Sequence, residues 1–212
     1  MKVNQVFESL ITASILLTVS SLPAMAKDTA ADRVDIESGM AVFNATTNVP
    51  GVEVKGKSGA LRGHVVVSHN DGRLVLDEIE ATVPVKSLST GMGVRDEHMR
   101  KYIFTTADGQ VPDLRFTAGN SVCEAGGGAQ FTCRIAGNLT IRGASQPFII
   151  SLTVKEQNAS FRATGDTLVK LSSFGITPPT QFGVKTADDV KLHLEFTGKQ
   201  KQMLTSEAGG AR

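Results

Sequence analysis

The chain has 212 residues, 41% of them hydrophobic, and its 22 Lys and Arg nearly balance 21 Asp and Glu, leaving a formal net charge of +1. That length suits a single domain with a substantial core, and the lack of a run of five or six like charges excludes a basic nucleic-acid arm or an acidic tail. Trp is absent and Tyr occurs once, so base stacking has little support, whereas ten Phe suit an apolar interior.

The first element in chain order is a leader. Lys2 precedes a mostly apolar run from Leu10 to Leu22, and Pro23-Ala24-Met25-Ala26 supplies the small-x-small pattern that a signal peptidase cuts after. Residues 1–26 are therefore expected to be a signal peptide, with the mature chain beginning at Lys27. The run is dotted with Ser and Thr and is shorter than the roughly 20 apolar residues of a membrane span, so the exported product is expected to be soluble, without a transmembrane segment.

From there the dominant signal has period two. Strands are predicted over 40–47, over 52–68 with a break near Gly56 to Gly59, over 74–85, and over 114–123. The cleanest alternation follows: Phe131, Cys133, Ile135, Gly137, Leu139 and Ile141 share one face, with Thr132, Arg134, Asn138 and Arg142 on the other. Further strands are expected at 148–155, 160–171 and 190–197, with turn signals at Asn70-Asp71-Gly72 and Asn158 between them. About eight half-buried strands with one apolar face each must stack as two sheets or curl into a barrel. A closed eight-stranded antiparallel barrel removes edge strands and is wide enough for packed side chains or one small ligand.

Two features interrupt the pattern. Arg95 to Phe104 has helical spacing, with Asp96 and Glu97 early and Arg100 and Lys101 later, and is expected to form a short helix that either caps the core or gates one end of the barrel. After Gly198 neither periodicity persists, and residues 199–212 are expected to be a flexible tail. Cys123 and Cys133 flank the cluster Gly126-Gly127-Gly128, which reads as a hairpin turn, and export to an oxidising compartment favours a disulfide between them.

Reactive constellations are sparse. His64, His69, His98 and His193 match no established ligand spacing, so no metal site is expected. Arg95, Asp96 and His98 form the densest polar group, but such groups more often cap a helix than do acid–base chemistry; Arg95 and Asp96 cannot face each other, so their partners are sought elsewhere in the fold. No Ser occupies a nucleophile elbow, and the glycines form neither a dinucleotide fingerprint nor a P-loop. No catalytic residue and no cofactor is assigned. The N-glycosylation triplets at Asn44, Asn138 and Asn158 are short enough to arise by chance.

Taken in order, several segments resemble the YceI-like family of lipocalin-like, polyisoprenoid-binding periplasmic proteins. They are Ile36-Glu37-Ser38, Val54-Lys55-Gly56, Leu61-Arg62-Gly63, Val83 to Leu88, Arg95-Asp96-Glu97-His98-Met99, Pro112 to Phe116, Gly137 to Gly143, Ser173-Phe174-Gly175-Ile176 and Asp189 to Leu192. The chain departs from that pattern at Ser173, where many members have an acid, and at Phe104, where many have two adjacent aromatics. The resemblance implies a lipid-binding barrel over residues 27–198 with an elongated apolar tunnel for a polyprenyl or quinone-like lipid, acting in the periplasm without catalysis. The candidate wall residues are Phe43, Val65, Ile79, Phe104, Phe116, Ile135, Leu139, Ile141, Ile150, Leu152, Phe174 and Ile176. The alternative is a structural or stress-response module whose barrel is filled by its own side chains. Homodimerisation is left open.

Overall fold

The computed structural model describes residues 31–70 and 72–201. The expected signal peptide lies outside the described residues. Ten strands run as β1 (Asp32–Thr47), β2 (Glu53–Ser58), β3 (Arg62–Asn70), β4 (Arg73–Val83), β5 (Leu114–Ala125), β6 (Gln130–Ile141), β7 (Ala144–Gln157), β8 (Ser160–Lys170), β9 (Thr180–Gln181) and β10 (Val184–Lys201). All the strand pairings are antiparallel, and β1 closes the sheet onto β10. Eight strands make the closed barrel; β2 extends β3 along the second half of β1, and β9 pairs only with the start of β10.

The expected eight-stranded antiparallel barrel is thus the observed one, with shifted boundaries. β1 begins eight residues ahead of the predicted start at Met40, and β10 runs through Lys201, which pairs with Arg33. Residues 199–201 are therefore strand rather than tail, while 202–212 lie outside the described residues. The helix expected over 95–104 is divided: α1 (Gly93–Met99) passes into a π-helical turn over Arg100–Phe104.

The two ends of the barrel differ. At one end tight hairpins join β3 to β4, β5 to β6 and β7 to β8. At the other end lie the β1–β2 loop, the long crossover 84–113 that contains α1, the short β6–β7 turn at Arg142 and Gly143, and the 171–183 connection. Near the hairpin end the interior is solid. Leu74, Cys123, Cys133 and Leu152 form a directly paired row across four strands, and Cys123 and Cys133 are joined by a disulfide. Leu74 and both cysteines are fully buried.

Candidate functional site

Toward the crossover end the same inward faces surround a cavity of about 1020 Å³. Period-two alternation explains its apolar lining, because every second side chain of each barrel strand must point inward. Phe43 of β1, Val65 of β3, Ile79 of β4, Phe116 of β5, Ile135, Leu139 and Ile141 of β6, and Ile150 and Leu152 of β7 all line it, and Phe104 joins from the π-helical turn. One glycine shapes this wall. Gly137 lies between Ile135 and Leu139, and a Cβ there would collide with the Thr117 carbonyl oxygen and stand 2.7 Å from the Phe116 ring, so the missing side chain lets β5 approach closely and gives that ring its place.

Phe174 and Ile176 do not line the cavity, which corrects their assignment as wall residues. Leu171–Phe174 form a 3₁₀ turn that ends at Gly175 with φ 68°, where Gly175 donates to the Ser172 carbonyl and Ile176 to the Leu171 carbonyl. Period two therefore stops at Lys170, and both side chains are buried in the packing around this turn. Other lining residues lay outside the sequence assignment. Val190, Leu192, Leu194 and Phe196 of β10 alternate visibly in sequence and complete the wall, while Met99 and Ile103 reach it from the helical segment.

A smaller space of about 60 Å³ lies beyond Val65, Ile79, Ile135 and Leu152, bounded by Val34, Val67, Leu74, Val154 and Phe161. The interior is therefore a tube, hollow at the crossover end and nearly closed at the hairpin end.

Polar groups gather at the open end. The lining there includes Thr47 and Glu53 beside the β1–β2 loop, Thr90, Arg95 and His98 from the helical crossover, and Thr180 and Gln181 of β9. Asp96 is buried and acts as a clamp: the Thr90 N–H donates to it at 2.7 Å, the Thr90 hydroxyl at 2.5 Å and the Ser89 hydroxyl at 2.8 Å. Arg95 donates in turn to the Thr90 hydroxyl and carbonyl oxygens at 2.8 and 2.9 Å. Burial pushes the Asp96 carboxyl up, but the hydrogen bonds from Thr90 and Ser89 and the nearby Arg100 charge outweigh it, and the pKa falls below the ordinary value. The partners of Arg95 and Asp96 are thus local, supplied by the preceding turn rather than by a distant element. That turn is tied to the barrel by reciprocal backbone bonds between Lys57 and Ser89.

His98 is the exception: its Nδ1 lies 3.2 Å from the Gln181 amide nitrogen, linking α1 to β9. Asp96 thus holds the start of α1, while Arg95 and His98, each hydrogen-bonded at the rim, also line the cavity. Among the described residues there is no cluster of His, Cys, Asp or Glu arranged to hold a metal, and no helix is long and apolar enough to cross a membrane.

A closed antiparallel barrel around an apolar cavity open at one end is a lipocalin-like fold. The YceI-like domain family matches residues 28–198, and the chain belongs to that family. Its fold is similar to a polyisoprenoid binding domain from Saccharophagus degradans, implicated in plant cell wall breakdown, over 82% of this chain and 99% of that one, at 15% identity and TM-score 0.60. Burkholderia cenocepacia BcnA is similar over 75% of this chain and 95% of its own, at 17% identity and TM-score 0.58. The Campylobacter jejuni YCEI protein matches over 73% and 90%, at 19% identity and TM-score 0.56. A search of curated protein sequences finds no match.

Proposed function

We propose that this protein binds an isoprenoid lipid, polyprenyl or quinone-like, with its tail inside the barrel and its polar end at the rim, and carries it through the periplasm without chemistry. The observation that carries this reading is the cavity of about 1020 Å³ with aliphatic and aromatic walls, which falls at the upper end of the range typical of ligand sites. A barrel filled by its own side chains, the competing reading, calls for an interior too small for a lipid.

The energetics favour a hydrocarbon tail. Each buried CH₂ contributes about 0.8 kcal/mol, so ten of them contribute about 8 kcal/mol before the costs of ordering the ligand. No charged anchor is then needed in the deep part of the tube. Thr90, Arg95, His98 and Gln181 are placed to meet a carbonyl, hydroxyl or phosphate at the opening. The leader-like residues 1–26 and the Cys123–Cys133 disulfide support an oxidising, extracytoplasmic compartment.

Organic extraction of protein purified from its native host, followed by mass spectrometry, tests the proposal. The expected result is an isoprenoid in a ratio near one per chain. Protein that repeatedly comes out free of any long-chain lipid overturns it.

A further inference from the structure

The open end of the barrel carries apolar side chains that the fold leaves in water. Three segments frame it: 48–55, 90–104 and 177–186. They are stitched together by Asn48, which donates to the Gly183 and Lys185 carbonyls and accepts from the Lys185 N–H, and by the His98–Gln181 contact. Of the eleven large hydrophobic side chains exposed among the described residues, six, Val49, Val52, Met92, Val94, Tyr102 and Phe182, lie on these segments, and the other five, Met40, Val111, Val122, Ile149 and Leu168, are scattered singly elsewhere. None lies on the three hairpin turns at the opposite end.

Phe182 is the sharpest case. Gln181 pairs with Val184, so Phe182 and Gly183 form a two-residue turn, and their φ values of 50° and 78° are those of a type I′ turn. That first position favours Asn, Asp or Gly and penalises a bulky side chain. Yet Phe182 is 97% exposed, so burial returns nothing for the unfavourable backbone. Neither turn geometry nor core packing accounts for a phenylalanine here; together with Val52 and Tyr102 it lines the mouth of the cavity, with almost all of its surface turned to the outside.

We infer that this rim docks on a phospholipid bilayer, with Phe182 inserted into the interface and the cavity mouth facing the membrane. The inference rests on the lipid-carrier reading, because a tail leaving the tube avoids water only if the opening meets an apolar phase. Charge agrees with it. The three segments hold Lys55, Arg95, Arg100, Lys101 and Lys185 against Glu53, Asp96 and Glu97; Lys55 pairs with Glu53, and Arg95 and Arg100 donate to backbone carbonyls of Lys86, Leu88 and Thr90, which leaves Lys101 and Lys185 as the cations placed to meet anionic headgroups. Aromatic tips with flanking cations are the composition of interfacial anchors.

Two substitutions test it. Phe182→Asn places a residue favoured by the turn, so the melting temperature should hold or rise while cosedimentation with vesicles of phosphatidylethanolamine and phosphatidylglycerol falls at least about tenfold. Phe182→Trp introduces the only tryptophan of the chain, and its emission should shift to the blue with those vesicles and be quenched by lipids brominated in the acyl chain. Equal vesicle binding by parent and Phe182→Asn overturns the inference. So does a self-association by sedimentation velocity that the variant abolishes while neither protein binds vesicles, since that assigns the rim to a second copy. Lipid content measured on the same samples separates the two readings: loaded protein that ignores vesicles refutes the docking, and lipid-free protein that still inserts Phe182→Trp refutes the carrier.

Discussion

Asp96 illustrates what a single residue conceals. Its sequence position marks it as an acid in the first turn of a helix, and the structure adds three donors from Ser89 and Thr90 that hold the start of α1 against the rim. Because its pKa is lower in the folded chain than in the unfolded one, its stabilisation is complete above a pH of about 4 and is lost as the pH falls through the depressed folded value. Asp96→Asn, which cannot ionise, should therefore be less stable than the parent by about 1–2 kcal/mol at neutral pH, in urea unfolding, with the gap closing on acidification. A gap independent of pH would show that the carboxylate charge is irrelevant. Phe174 and Ile176 show the complementary limit. Two apolar residues two apart satisfy a strand pattern, and only the left-handed Gly175 between them reveals that no strand is present.

Among the elements, strand number and inward faces were readable because alternation is a local property, whereas the bulges were not. An extra residue at Glu37 on β1, at Asp77 on β4 and in the Gly119–Val122 stretch of β5 flips the parity of each strand, so Leu74 and Leu76 face inward before the bulge on β4 and Ile79 and Ala81 after it. A fixed period of two cannot follow this change. The bulges on β4 and β5 adjoin, since a Cβ on Gly119 would lie 2.9 Å from the Asp77 carbonyl oxygen. Ile36 and Ile79, beside the bulges on β1 and β4, line both the main cavity and the small one. The bulges thus mark the level where the solid end gives way to the hollow one. Below it the disulfide cross-links β5 and β6 at directly opposed positions ten residues apart. Its removal by Cys123→Ala with Cys133→Ala should cost about 2–3 kcal/mol by urea unfolding under oxidising conditions. Since neither cysteine lines the cavity, lipid content should be unchanged; loss of lipid together with stability would show that the closed end also shapes the site.

For the whole molecule the question is whether hollowness is functional, and enlargement of the wall answers it. In a solid core an added ring forces off-rotamer side chains and costs about 1–3 kcal/mol. In a hollow barrel the same ring gains contacts and leaves water, so stability should stay within about 0.5 kcal/mol or rise. Leu192→Phe and Ile150→Phe, combined in one chain, place two larger side chains on the cavity wall. The expected outcome is an unchanged or higher urea midpoint together with at least a twofold loss of extractable isoprenoid, or a shift to shorter tails, by mass spectrometry. Destabilisation with normal lipid content would mean that the tail lies elsewhere. The opposite pairing, stability kept and cargo lost, is what a barrel must show if its empty space is maintained for a ligand rather than left by imperfect packing.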